Sequence, residues 1–173
     1  MIKSIIFDLD DTLYDCSGQL VKKARKRAAE KMVELGLFSN EKKAYEKQKN
    51  LSKKHPRENV FDKICEEKNI EKNKKQKIVK KILEVYNTGK VENIKPFKDT
   101  KKTLEKLKKN KKLFLVTSGI SGRQQKKIEL LGIKKYFNDI IISDIEVGPS
   151  KRDAFSQLIK IIFCSFLIFL EFF

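Results

Sequence analysis

The 173-residue sequence predicts an α/β fold in which a Rossmann-like parallel sheet core is interrupted by an inserted α-helical domain. Apolar runs typical of buried strands occur at the start of the chain and again in its last third. In the last third, helical and strand-like stretches alternate, which is the order expected of a parallel sheet. Between these two regions lies a long stretch with helical spacing of apolar residues.

The first strand is predicted from the stretch KSIIFDLD (3–10). Its continuous apolar run is typical of a strand that is covered by helices on both faces. Asp8 follows the run, so it is expected at the C-terminal end of the strand.

The inserted region begins near residue 17 and ends near residue 89. Gly36 is expected to end its first helix, and three further helices are expected over 40–53, 57–68 and 71–87. His55-Pro56 predicts the break between two of them. The residues expected to face inward are Leu20, Val21, Ala24, Ala28, Met32, Leu35, Val60, Ile64, Ile78, Ile82 and Val85.

After Pro96 the elements alternate: a lysine-rich helix (99–109), the strand LFLVTSG, a helix (122–131), and the strand NDIIIS. The sequence therefore predicts two domains. Residues 1–15 and 92–173 form the discontinuous core, and residues 16–91 form the helical insert.

The formal charge of +17 comes from 40 Lys and Arg against 23 Asp and Glu. Only five of the cations are Arg, the residue favoured for forked contacts with phosphate and bases, and the lysines alternate with Glu at helical spacings. This pattern favours solvated helix surfaces, so no specific nucleic-acid partner is expected. A basic nucleic-acid-binding protein remains an alternative.

Three widely spaced cysteines, without a C-x-x-C pair and with one histidine, indicate neither a disulfide framework nor a zinc site. The apolar run in MIKSIIF is too short for a signal peptide, which leads to the expectation of a cytoplasmic protein without a transmembrane span.

Polar residues follow each predicted strand of the core. Asp8 and Asp10 follow the first, Thr117-Ser118-Gly119 follows the second, and Lys151 comes after the third. Ligands of open α/β sheets bind beyond the C-terminal ends of the strands, so an acid, a hydroxyl and a cation are expected along one rim. Asp11 and Asp15 are interpreted as turn or N-cap residues.

The pattern D-x-D-x-T, written here Asp8-Leu9-Asp10-Asp11-Thr12, followed in order by Thr117 and Lys151, resembles the haloacid dehalogenase-like hydrolase superfamily. The resemblance implies that Asp8 is the nucleophile that accepts a phosphoryl group and that Asp10 is the acid and base. It implies Mg²⁺ as the cofactor, with Asp8 and Asp10 as metal ligands, and makes Lys151 a catalytic residue. The implied substrate-binding residues are Thr117, Ser118, Gly119 and Lys151.

In this family the helical insert corresponds to a small cap domain that closes over the site. Members that act as dehalogenases lack an acid at the position of Asp10, so the resemblance favours a phosphatase acting on a small phosphorylated metabolite. A phosphomutase would also keep both acids and remains an alternative.

The C-terminal region departs from the family pattern, whose fourth motif is an acidic pair about two dozen residues beyond the lysine of motif three. Here the chain ends 22 residues after Lys151, and eleven of the last thirteen residues (161–173) are apolar. We therefore expect a truncated or frame-shifted core, which leaves a catalytically defective fragment as an alternative function. The apolar tail is otherwise expected to form a substitute strand or to mediate association.

Overall fold

The computed structural model describes residues 2–56, 58–144, 148, 150, 152–153, 155–156 and 158–160. The chain divides into two compact units. One combines Met1–Ser17 with Val91–Phe173, and the other is Gly18–Lys90. Among the described residues, no helix combines the length and the apolar character that crossing a bilayer requires.

The unit Gly18–Lys90 is helical. It begins within a π-helical turn (Ser17–Val21) and contains α1 (Lys22–Glu34), α2 (Glu41–Lys54), α3 (Val60–Glu67) and α4 (Lys72–Asn87). Its buried core contains Ala28, Ala29, Met32, Leu37, Ala44, Leu51, Phe61, Ile64, Cys65, Val79 and Ile82.

Local signals define the ends of these helices. Gly36, with φ 72°, follows α1 as predicted, and the amides of Gly36 and Leu37 donate to Val33 O and Met32 O, which closes the helix. Asn40 caps α2 by accepting a hydrogen bond from the Lys43 amide at 2.9 Å.

The other unit contains a three-stranded sheet of β1 (Ser4–Phe7), β2 (Lys112–Gly119) and β3 (Asp139–Asp144). The described strands run parallel in the order β1-β2-β3, which confirms the predicted parallel α/β core. β2 is the central strand, and its residues from Leu113 to Thr117 are consecutively buried, as expected of a strand covered on both faces.

Helices α5 (Thr100–Lys108) and α6 (Ser121–Leu131) flank β2 in the sequence, and a short 3₁₀ turn (Lys134–Tyr136) precedes β3. The described residues within 152–160 are helical. Leu158 from this segment packs on one face of the sheet against Phe114 and Val116, with Ile6 and Ile141 beside them. The residues 161–173, for which a substitute strand was considered, lie outside the described residues.

Candidate functional site

The loop after β1 carries the two acids of the predicted site. Phe7, the last residue of β1, pairs in register with Leu115, so Asp8 lies just beyond the strand and near the C-terminal end of β2. The Oδ1 of Asp8 accepts a hydrogen bond from the Leu9 amide at 2.8 Å. Leu9 is completely buried and its carbonyl accepts from the Leu13 amide, so an apolar anchor holds the loop close to the sheet.

Hydrogen bonds to two residues, Leu13 and Asp11, fix the far side of this loop. The carbonyl of Leu13 accepts hydrogen bonds from the amide of Phe97 and, at 2.9 Å, from the hydroxyl of Thr100. Asp11 has a φ of 56° and accepts from both the amide and the hydroxyl of Ser17. The interpretation of Asp11 as a turn residue is therefore confirmed.

At the end of β2, Thr117 is 1% exposed, and its hydroxyl lies 2.6 Å from Nε2 of Gln124 on α6. The same amide nitrogen donates to the Ser118 carbonyl at 2.9 Å. Gly119 has a φ of 152°, and a Cβ at this position would lie 3.1 Å from Cγ and Cδ of Gln124. The strand end and α6 therefore meet closely because residue 119 has no side chain.

The carboxylate of Asp10 is surrounded by donors. The ammonium of Lys127 lies 2.9 Å from each of its oxygens, Tyr14 Oη donates to Oδ1 at 2.7 Å, and Gln124 Nε2 lies 3.3 Å from Oδ2. Burial raises the pKa of Asp10, but the hydrogen bonds from Tyr14 and Lys127 outweigh burial and hold that pKa below its ordinary value.

Tyr14, four positions after Asp10 in the sequence, is completely buried and contacts Asp10 directly. Burial and its bonds to Cys16 and Asp10 raise the pKa of the phenol far above its ordinary value. Tyr14 therefore remains protonated and acts as a hydrogen-bond donor to the carboxylate.

Gln124 and Lys127 were not identified from the sequence. Lysine is abundant in this chain, and the general pattern of its lysines favoured solvated helix surfaces. The signal that was available is their spacing, because Gln124, Lys127, Ile128 and Leu131 fall at helical intervals on the one buried face of α6. A lysine placed on an apolar face indicates a buried partner.

The end of β3 also contacts α6. Asp144 accepts a hydrogen bond from the Ser121 amide at 3.0 Å, which provides an acceptor at the first turn of the helix. Lys151, the predicted cation of the site, lies outside the described residues. Its position at the same rim as Asp8 therefore stays a prediction.

The donor set suits a hard cation. Asp8 and Asp10 supply carboxylate oxygens, and no group of three or more His, Cys, Asp or Glu side chains with the geometry of a metal site occurs among the described residues. Mg²⁺ usually binds through one or two carboxylates together with water and substrate phosphate oxygens. Asp8 and Asp10 are therefore compatible with this ion, although the donors around Asp10 already engage both of its oxygens.

Comparison with known proteins identifies the relatives of this chain. A glyceraldehyde 3-phosphate phosphatase of Methanopyrus kandleri is 35% identical over 158 residues, which is 87% of this chain and 65% of that protein. The enzyme of the same name from Methanocaldococcus jannaschii is 34% identical over 165 residues, covering 87% of this chain and 66% of the relative. The chain thus spans about two thirds of the length of these curated relatives.

Two solved structures share the fold. One from Clostridium difficile aligns with a TM-score of 0.66 at 21% identity, over 93% of this chain and 70% of the other. A haloacid dehalogenase-like family protein from Streptococcus pneumoniae aligns with a TM-score of 0.62 at 23% identity, over 92% of this chain and 69% of that chain. The family model for haloacid dehalogenase-like hydrolases matches residues 5–160. With the carboxylate loop, the parallel sheet and this match in agreement, the chain belongs to the haloacid dehalogenase-like hydrolase family.

Proposed function

We propose that this chain carries the catalytic centre of a Mg²⁺-dependent phosphatase that hydrolyses a small phosphorylated metabolite through an aspartyl-phosphate on Asp8. The observation that carries the proposal is the convergence of two acids and a buried hydroxyl at one edge of the sheet. Asp8 follows β1 directly, and Asp10 and Thr117 are joined through Gln124. The phosphatase names of the relatives support the same reaction class.

In the first step, an oxygen of Asp8 attacks phosphorus, a new oxygen–phosphorus bond forms, and the ester bond to the leaving oxygen breaks. Asp10, which is a carboxylate in the free chain, takes up a proton from water when the ester binds and passes this proton to the leaving oxygen. In the second step, Asp10 removes a proton from water, whose oxygen attacks phosphorus and releases inorganic phosphate and the free Asp8 carboxylate. Two easier displacements replace one difficult hydrolysis.

Asp8 and Asp10 would hold the Mg²⁺, which supplies positive charge against the phosphate oxygens when it is bound. Thr117 supplies a neutral donor together with the adjoining Ser118 and Gly119 backbone. Lys151 supplies the second positive charge at the phosphate. These assignments offset the repulsion between a carboxylate nucleophile and an anionic substrate.

We assign the role of the substrate-selecting cap to the helical unit Gly18–Lys90, because it is inserted between the carboxylate loop and β2 in the chain. The names of the relatives make glyceraldehyde 3-phosphate the first substrate to test. The net positive charge of the chain favours an anionic substrate of this kind.

The experiment measures Mg²⁺-dependent release of phosphate from 4-nitrophenyl phosphate and from glyceraldehyde 3-phosphate by the purified chain. Asp8→Asn removes the nucleophile and is expected to reduce turnover to background. Asp11→Asn makes the same chemical change at a turn residue three positions away, and this variant is expected to keep most of the activity. Equal rates in the wild type and in Asp8→Asn would reject the proposal.

A further inference from the structure

Lys127 is the one lysine among the described residues whose whole residue is buried, with 7% of its surface exposed. Its neighbour Lys126, on the same helix, is exposed. Long ammonium side chains normally reach water, and an isolated buried charge is strongly unfavourable. Burial of Lys127 therefore requires a compensating partner.

That partner is Asp10, which belongs to a different element and lies 117 positions away in sequence. The ammonium is equidistant from both carboxylate oxygens, at 2.9 Å. Side-chain exposure is 9% for Lys127 and 32% for Asp10, so water screens this pair far less than it screens a surface ion pair. The contact is a charge-assisted hydrogen-bonded pair.

The two partners differ in how firmly the backbone holds them. Lys127 lies on the buried face of α6 and is followed directly by the buried Ile128, whereas Asp10 lies on the loop after β1 and forms an isolated bridge with Tyr14 of the same loop. A loop carboxylate has two side-chain torsions that must be held for it to act on one particular atom. The helix is the more rigid support, so α6 sets the orientation of Asp10.

We propose that Lys127 is a positioning residue for the reaction: it fixes the carboxylate of Asp10 in one orientation and offsets its charge beside an incoming phosphate ester. This inference rests on the proposed phosphatase function, because it assigns to Lys127 an action through the acid and base of that reaction. Gln124 and Tyr14 are further donors to the same carboxylate.

The proposal predicts a specific kinetic pattern. A misdirected Asp10 still allows Asp8 to attack phosphorus, but it delivers a proton poorly to the leaving oxygen. Lys127→Met should therefore lower kcat much more than it raises KM. The loss should be greater for phenyl phosphate, whose leaving oxygen needs the proton, than for 4-nitrophenyl phosphate, whose leaving group is a stable anion.

The kinetic experiment compares the wild type, Lys127→Met, Lys127→Arg and Lys126→Met with both esters at saturating Mg²⁺. We expect kcat of Lys127→Met to fall by about tenfold or more with phenyl phosphate and by a clearly smaller factor with 4-nitrophenyl phosphate. Lys127→Arg keeps the cation and should recover part of this difference, and Lys126→Met should match the wild type. A loss in Lys127→Met that is equal for the two esters, or no loss at all, would overturn the proposal.

A second readout needs neither metal nor activity. Urea unfolding in EDTA is measured for the wild type, Lys127→Met, Asp10→Asn and the double variant. If the ammonium and the carboxylate are paired, Lys127→Met should lower the equilibrium constant for folding by about tenfold or more in the wild-type background. In the Asp10→Asn background, the same substitution should lower this constant by much less. Equal effects in both backgrounds would overturn the pairing on which the proposal depends.

The two readouts separate the possible failures. If the wild type shows Asp8-dependent turnover but Lys127→Met loses activity equally with both esters, only the positioning role is rejected. If the wild type shows no Asp8-dependent turnover, the proposed function and the positioning role both fail, whatever the unfolding cycle shows. Should Lys127→Met not fold, Lys127→Arg decides the matter: its loss of kcat is expected to be greater with phenyl phosphate than with 4-nitrophenyl phosphate, and an equal loss with both esters, or no loss, would contradict the proposal.

Discussion

Thr117 and Asp10 share one hydrogen-bond donor, because Nε2 of Gln124 lies 2.6 Å from the Thr117 hydroxyl and 3.3 Å from Oδ2 of Asp10. Thr117 lies near the C-terminal end of β2, and Asp10 lies on the loop after β1. A side chain of α6 thus links the ends of two neighbouring strands. The relative placement of the proposed donor and the proposed acid depends on a residue that takes no chemical part in the reaction.

Replacing Gln124 by Met keeps the length of the side chain but removes the amide. Thr117 is 1% exposed, and its hydroxyl then loses the hydrogen bond to Gln124. Leaving a buried polar group unpaired lowers the free energy of unfolding by about 1–3 kcal/mol. We expect Gln124→Met to lower the free energy of unfolding by this amount in urea denaturation. The matched control is Gln125→Met on the exposed face of α6, and an equally small effect of both variants would contradict the expectation.

Gly119 is the second position at which the site depends on close packing. A Cβ there would lie 3.1 Å from Gln124, and the φ of 152° is unfavourable for residues with side chains. Gly119→Ala should therefore destabilise the chain by about 2 kcal/mol or more, since strain and overpacking add.

Gly122, in the first turn of α6, provides the control, since a Cβ there meets nothing within 4 Å. Gly122→Ala should leave stability unchanged or raise it by up to about 1 kcal/mol, because Ala favours helix. Thermal and urea unfolding of the two variants measure the difference. A Gly119→Ala variant as stable as Gly122→Ala would show that β2 and α6 do not approach as described.

The stability of the chain should depend on pH through Asp10. Burial raises the pKa of this carboxyl, but the bonds from Tyr14 and Lys127 prevail and hold it below the ordinary 3.8. Because the folded pKa is lowered, the carboxylate contributes stability above pH 3.8, and that contribution is lost as the pH falls through the folded pKa.

Asp10→Asn lacks the charge at every pH, so it serves as the reference for this contribution. The difference in unfolding free energy between the wild type and Asp10→Asn should be constant above about pH 5 and should shrink below about pH 4. Urea unfolding across this range measures it. If this difference in unfolding free energy stays the same or grows on acidification, Asp10 is not stabilised as a carboxylate by Tyr14 and Lys127.

The thiol of Cys16 lies close to the acid loop but should be unreactive. Burial, before all other causes, raises its pKa from 9.0 to about 11, and the residue is 7% exposed. At pH 8 a rise of this size lowers the thiolate fraction by about a hundredfold, and the thiolate is the reactive form. Iodoacetamide labelling read at the Cys16 peptide should be slower by about this factor in the native chain than in the urea-unfolded chain. Comparable rates would mean that the loop opens readily.

The positions of the elements were predictable because local signals determine them. Gly36 ends α1, Asn40 caps α2, and the apolar spacing places Ile64 and Ile82 in the core of the helical unit as expected. The first strand was predicted within the stretch 3–10, with Asp8 at its C-terminal end, and β1 ends at Phe7, directly before Asp8. The residues that follow turn to form the acid loop.

The amino-acid sequence by itself determined the parallel α/β class, the helical insert and the acids after the first strand, because apolar periodicity and short motifs are local properties of the chain. Only the tertiary structure decided which lysine meets Asp10. The chain has thirty-five lysines, and the packing of α6 in the folded chain is what removes Lys127 from water. The physical reason is that a charge acquires a defined partner through desolvation, and desolvation depends on contacts between residues far apart in the chain.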